Sequence, residues 1–162
     1  MTLEVLAWLI AIPLLGLVTG FRTMTPFAVL CWFAYRGDLA VGDTWASWTG
    51  HLVTAIIFTI LAVAEVIGDK LPWMPNRTSP APLATRLGMG GLIGAIVATS
   101  LDGDIAEGIF LGVAGALLGS FGGFQVRKEL VQRGAFKDWP VATTEDVITL
   151  VCSLLALGVI TG

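Results

Sequence analysis

The chain has 162 residues, the size of one ordinary domain, yet 56% are apolar and only 13% charged, with a mean hydropathy of +0.86. That composition excludes water as the main solvent and implies the lipid bilayer as a partner. The formal charge of −3, from 9 basic and 12 acidic residues, is gathered between apolar runs; with no basic tail or stripe, nucleic acid is excluded as a partner.

The start, Met1-Thr2-Leu3-Glu4, lacks the positive charge of a secretory signal, and no small-residue cleavage site follows, so the first apolar run reads as a mature helix. A spanning helix needs about 20 mainly apolar residues, with roughly 17 tolerable. Leu3 to Thr19 comes near that length. Met24 to Tyr35 is short and follows the break Gly20-Phe21-Arg22, so it is either a short span or a re-entrant helix. Leu52 to Gly68, Leu83 to Ser100, Ile105 to Val126 and Val147 to Thr161 complete the set. The predicted fold is all-α: a polytopic transmembrane helical bundle of six spans, with five as the alternative count.

Lys and Arg gather on the cytoplasmic side of short loops. Six spans put Arg22, Lys70, Arg77, Arg86, Arg127, Lys128, Arg133 and Lys137 on one side and only Arg36 on the other. Five spans move Arg22 across to join Arg36, a poorer separation. The expectation is a bacterial inner-membrane protein with loops 69–86 and 127–146 cytoplasmic and both termini outside. Trp45 and Trp48 then flank one interface, Trp73 and Trp139 the other.

The segment Leu71 to Pro82, with Pro72, Pro75, Pro80 and Pro82, is predicted to be non-helical, since each proline removes a donor and biases its predecessor toward extended structure. It divides the chain into residues 1–70, a connector at 71–82, and residues 83–162. Three spans in each part would make the halves opposite in orientation, as in inverted-repeat transporters. No residue-by-residue match between the halves supports more than that topological expectation.

Gly108, Gly112, Gly115, Gly119 and Gly122 recur at intervals of four, three, four and three along one helical face. Such small-residue faces bring membrane helices close, either within the chain or as a homodimer seam through Gly108, Gly112, Gly115 and Gly119. Gly88, Gly90, Gly91 and Gly94 follow no strand and precede no Lys-Ser/Thr pair, so they do not form a phosphate loop, and no cofactor is implied. Cys31 and Cys152 lie in apolar runs and read as buried free thiols.

An ionisable group at membrane depth is costly and marks a site or an ion pair. Glu65 sits about one turn inside the end of its span, with Asp69 at i+4 on the same face. Arg22, in the break, is the expected counter-charge. Lys70 follows, Arg86 opens the fourth span and Arg127 closes the fifth. Glu145 and Asp146 are expected to open the sixth, with Thr143 as its cap. Together they predict a polar vestibule whose residues bind substrate or couple its movement; the bland alternative is a ring of helix-end charges that cap and pair. His51, the only histidine, falls on the other face, which removes histidine-based triads and zinc sites. Were a metal bound, magnesium on Glu65 with Asp69, or on Glu145 with Asp146, would suit the carboxylates.

Gly20-Phe21-Arg22 with Pro26, Glu65 to Asp69-Lys70-Leu71-Pro72, Arg86, Arg127, and Glu145-Asp146 before a final apolar run form a set that resembles a bacterial integral-membrane family known as a domain of unknown function, the DUF4126 type. The resemblance covers nearly the whole chain. It implies a multi-pass membrane protein with these polar positions as hallmarks, and it brings no catalytic residue and no substrate.

The leading functional expectation is a small transporter or permeation protein for a small anionic solute, with Arg22 and Arg86 attracting the anion and Glu65 coupling or holding Arg22. The alternatives are a membrane-embedded enzyme acting on a lipid-linked or phosphorylated substrate, and a non-catalytic assembly subunit with purely structural charges.

Overall fold

A computed structural model of the chain describes residues 3–69, 80–132 and 138–162. Among them the fold is all-helical: α1 (Leu3–Phe21), α2 (Met24–Arg36), α3 (Leu52–Gly68), α4 (Pro80–Ser100), α5 (Ile105–Gln132) and α6 (Asp138–Thr161), with a short 3-10 turn at Ser47–Gly50. Three stretches, Pro80–Ser100, Ile105–Glu129 and Pro140–Thr161, are long and apolar enough to cross a membrane. Trp8–Phe21 and Leu52–Gly68 are shorter apolar helices. Large apolar side chains cover the outside of α3, α5 and α6, among them Ile60, Ile67, Phe110, Leu118, Leu155 and Val159.

Two helix starts differ from the sequence reading. α4 begins at Pro80, so Pro80 and Pro82 are helical; the first-turn N–H groups of a helix have no intrahelical acceptor, and proline there sacrifices no hydrogen bond. Residues 71–79 of the expected connector lie outside the described residues. α6 begins at Asp138, two turns before Glu145, so Glu145 and Asp146 do not open it and Thr143 is not its cap. The apolar run measures membrane thickness, whereas this helix continues beyond it; α5 likewise continues past Arg127 to Gln132.

Close backbone approach organises the centre. Gly16 and Gly20 of α1 face Gly112, Gly115 and Gly119 of α5, and Gly90 and Gly94 of α4 face Gly112 and Gly108. A methyl group at any of these would overlap backbone atoms of the neighbouring helix. The glycine face of α5 is therefore occupied by the chain's own α1 and α4, while Gly122, outside the seam, has open space around it. Such backbone-to-backbone approach gains dispersion contact along the whole seam, the way small-residue faces hold apolar helices together. α6 packs on α1 and α2, and α3 on α2, so the segments before and after the connector interleave as one bundle.

α2 has only 13 residues, about 20 Å of helix. It ends in left-handed Gly37 (φ 82°), with the Gly37 and Asp38 N–H groups returning to the Ala34 and Phe33 carbonyls. The loop that follows folds inward: Leu39, Val41 and Ala46 are buried with Ile12, Leu15, Phe27, Ile93 and Leu157 in the apolar core. Trp45 donates to the Thr99 hydroxyl (3.0 Å), and Trp48 stacks on Phe27 with ring centres 5.9 Å apart. At the turn into α5, Asp104 accepts from the Ala106 and Glu107 N–H groups at 2.7 and 3.2 Å.

Gly112→Ala is expected to destabilise the fold by about 1–3 kcal/mol, seen as a lower unfolding temperature in detergent, while Gly122→Ala leaves it unchanged. Equal effects at the two positions would mean that the seam is not what holds α5.

Candidate functional site

The break between α1 and α2 strands two sets of backbone groups: the last carbonyls of α1 and the first N–H groups of α2. Both are met from other helices. Arg86 of α4, 4% exposed, donates from Nη1 to the Gly20 carbonyl and, at 3.4 Å, to the Phe21 carbonyl. Glu65 of α3 accepts from the Thr23 and Met24 N–H groups, one on each carboxylate oxygen, both at 2.8 Å. Each cap places a charge at the helix end of opposite sign, a cation at the carbonyl end of α1 and an anion at the N–H end of α2.

Between the caps lies Arg22, with no exposed surface. Its Nη1 donates to Asp69 Oδ2, and its Nε is 2.5 Å from Asp146 Oδ1. Asp69 and Asp146 keep about a fifth of their side-chain surface. Beside them, Arg127 of α5 lies 3.7 Å from Glu145 of α6. One end of the bundle thus collects charges from α3, α4, α5, α6 and the α1–α2 junction, each helix supplying a residue the others require.

The sequence-predicted residues Arg22, Glu65, Asp69, Arg86, Arg127, Glu145 and Asp146 are all at this end; Lys70 lies outside the described residues. One pairing differs from expectation. Glu65 does not face Arg22 as its counter-charge: it is held by α2's buried N–H groups, and Asp69, one turn further along α3, reaches the guanidinium instead. Among the described residues, no three His, Cys, Asp or Glu side chains come together as a group able to hold a metal ion.

Sequence reasoning missed the polar lining beneath the charges. Thr19, Ser120, Thr149 and Ser153 are buried at 1% exposure or less. Ser120 adjoins Gly20, and Ser153 donates to the Thr149 carbonyl at 2.6 Å. Among the described residues, Arg22 Nε and Nη2, Ser120 Oγ and Thr149 Oγ1 make no directed hydrogen bond, Nε standing instead in its ion-pair contact with Asp146. The available signal was the spacing of Asp146, Thr149 and Ser153, which places three polar residues on one face of an otherwise apolar helix.

A helical bundle with apolar outer faces and a buried charge cluster at one end defines a class: a membrane-type helical protein with an internal polar centre. The family model described as "Domain of unknown function (DUF4126)" matches residues 9–159, and the chain belongs to that family. No curated protein and no solved structure matches it.

Arg22→Ala leaves Asp69 and Asp146 facing each other without their shared cation and is expected to cost about 3–5 kcal/mol, the range for breaking a buried pair. Glu65→Ala removes the α2 cap at a cost of about 0.5–2 kcal/mol, and Glu65→Gln, which keeps an acceptor, costs less. Thermal unfolding in detergent ranks the three; a Glu65→Gln variant less stable than Glu65→Ala contradicts the capping role.

Proposed function

We propose that the protein is a small multi-pass membrane transporter or permeation protein of six spans, with the charged end as a cytoplasmic vestibule for a small anionic solute. The observation that carries the reading is the Nε–Nη2 edge of Arg22: a wholly buried guanidinium edge at a helix break, beside the Asp146 carboxylate but without a directed hydrogen bond among the described residues. Arg86 is committed to the α1 carbonyls, so anion recognition falls to Arg22. Interrupted helices whose N-termini point at the site are the means by which transporters receive anionic groups at depth. The bias of Lys and Arg toward loops 69–86 and 127–146 supports the cytoplasmic assignment, in a bacterial inner membrane with both termini outside.

A second reading, a non-catalytic assembly subunit, is favoured by one observation: Arg86 and Glu65 are both spent on helix caps. Under that reading Arg22 and its acids tolerate joint neutral replacement without functional loss.

Two measurements test the proposal. With Cys31 and Cys152 replaced, Thr78→Cys is expected to be labelled by an impermeant thiol reagent only from the cytoplasmic side and Asp102→Cys only from outside; labelling of both from one side overturns the six-span orientation. In proteoliposomes screened for uptake of small anions, the wild type is expected to move at least one that a folded Arg22→Lys variant moves about ten-fold more slowly or not at all, since lysine lacks the fork. Movement of none, or equal rates, shifts support to the assembly reading.

A further inference from the structure

Arg22 presents two edges to its surroundings. Nη1 is taken by Asp69, while the Nε–Nη2 edge faces α6, where Asp146 Oδ1 lies 2.5 Å from Nε. Among the described residues neither nitrogen of that edge makes a directed hydrogen bond, and Asp146 Oδ1 receives none. At i+3 from Asp146, Thr149 is wholly buried and its Oγ1 has no hydrogen-bond partner among the described residues. Ser153, at i+7, spends its proton on the Thr149 carbonyl. Asp146, Thr149 and Ser153 share one face of α6 over roughly 10 Å of helix, and beyond them that face turns apolar at Ala156 and Leu157, which join the core.

Two parallel guanidinium N–H groups are the geometry that grips a carboxylate, phosphate or sulfate with two hydrogen bonds. A buried edge of this kind, close to a carboxylate yet without directed bonds to it, is a costly arrangement that a better-fitting acceptor relieves. Among the described residues, the other sequence-predicted charges at this end have their own counterparts. Glu65 of α3 holds the α2 N–H groups and Asp69 of α3 meets Arg22 Nη1. Arg86 of α4 holds the α1 carbonyls, and Arg127 of α5 stands by Glu145 of α6. Lys128 and Glu129 are on the exposed side of α5. Among the described residues, the carboxylate that stands against the Nε–Nη2 edge is Asp146.

We infer that this edge is a joint site for a small oxyanion and a proton, with Asp146 as the proton-exchanging residue. Asp146 takes a proton from hydronium at the charged end onto Oδ1, the hydronium O–H bond breaking to leave water, becomes a neutral acid and releases the Arg22 edge. The oxyanion accepts from Nε and Nη2, with the Asp146 O–H and the Thr149 hydroxyl as further donors. Only the O–H bond of Asp146 forms, and it breaks again on release. Because both ligands act on one guanidinium edge, each raises the affinity for the other by the same factor. The inference rests on the transport reading above and adds to it the coupling ion and the chemistry of the solute.

The test uses the purified full chain in detergent, with acetate and sulfate as oxyanion probes and chloride as a probe without fork geometry, since a ligand bound only by the folded state raises the unfolding temperature. Acetate or sulfate is expected to stabilise the wild type with an apparent affinity about ten-fold higher at acidic than at alkaline pH, within the usual range for coupled sites. Asp146→Asn is expected to bind equally at both, and Thr149→Val several-fold more weakly than wild type. Infrared difference spectra should show a protonated carboxyl signal on oxyanion binding that Asp146→Asn lacks. Should that variant not fold, the wild-type signal and the Thr149→Val affinity still decide the matter. Oxyanion binding independent of pH in the wild type, unchanged pH dependence in Asp146→Asn, or chloride binding as well as the oxyanions overturns the inference. Solute movement in liposomes with pH-independent binding removes the proton site and keeps the transport reading; a pH-linked oxyanion site in a protein that moves no solute does the reverse.

Discussion

The structure depends on one buried cation. Arg22 sits where α1 stops and α2 starts, with its guanidinium wholly enclosed and two aspartates from helices far apart in sequence within reach. An isolated charge at that depth would cost several kcal/mol even after relaxation, so the arrangement stands only if α3 and α6 are present to supply Asp69 and Asp146. The same junction exposes backbone groups that only Arg86 and Glu65 satisfy. Removing α3, α4 or α6 therefore leaves a buried charge or an unpaired helix terminus at this end.

The glycine seam supplies the complementary constraint. α1, α4 and α5 approach so closely that the backbones themselves are the contact surfaces, which sets the heights of these helices relative to one another. That register places Gly20 beside Ser120 and within reach of Arg86. The seam and the charge cluster are thus two parts of one device: the first fixes helix height, the second uses that height to bring caps to a break.

Much of this was legible in the sequence, for identifiable reasons. Apolar run length found every helix, and Leu52–Gly68 was bounded correctly at both ends because Gly50 and His51 precede it and Asp69 follows. Membrane depth made Arg22 and Glu65 conspicuous, since charges are rare there. Helix starts failed where polarity masked them: Pro80 and Pro82 looked like breakers because the tolerance of a first turn depends on knowing where the turn is, and residues 138–146 looked like loop because hydropathy measures bilayer, not helix. The partner of Glu65 was misread for a deeper reason. Charge complementarity in a list of residues suggests side-chain pairs, whereas the buried donors Glu65 meets are backbone N–H groups, which every residue but proline carries and no sequence pattern marks. The face formed by Asp146, Thr149 and Ser153 was readable from spacing alone, but its burial was not.

The brevity of α2 bears on how the protein is made. Its 13 residues reach about two thirds of the way through a hydrocarbon layer of roughly 30 Å, and its first N–H groups have an acceptor only once Glu65 arrives on α3. In the six-span reading a bilayer offers no water to stand in for that acceptor, so α2 would be a segment the membrane accepts only in company. The inward-folded loop after it answers its own backbone turn by turn, with Thr44, Ser47 and Thr49 N–H groups returning to Val41, Thr44 and Ala46, and its apolar residues Leu39, Val41 and Ala46 join Ile93 of α4 and Leu157 of α6 in the core. In the six-span reading proposed above, insertion of α2 and its packing against α3 would be a single event.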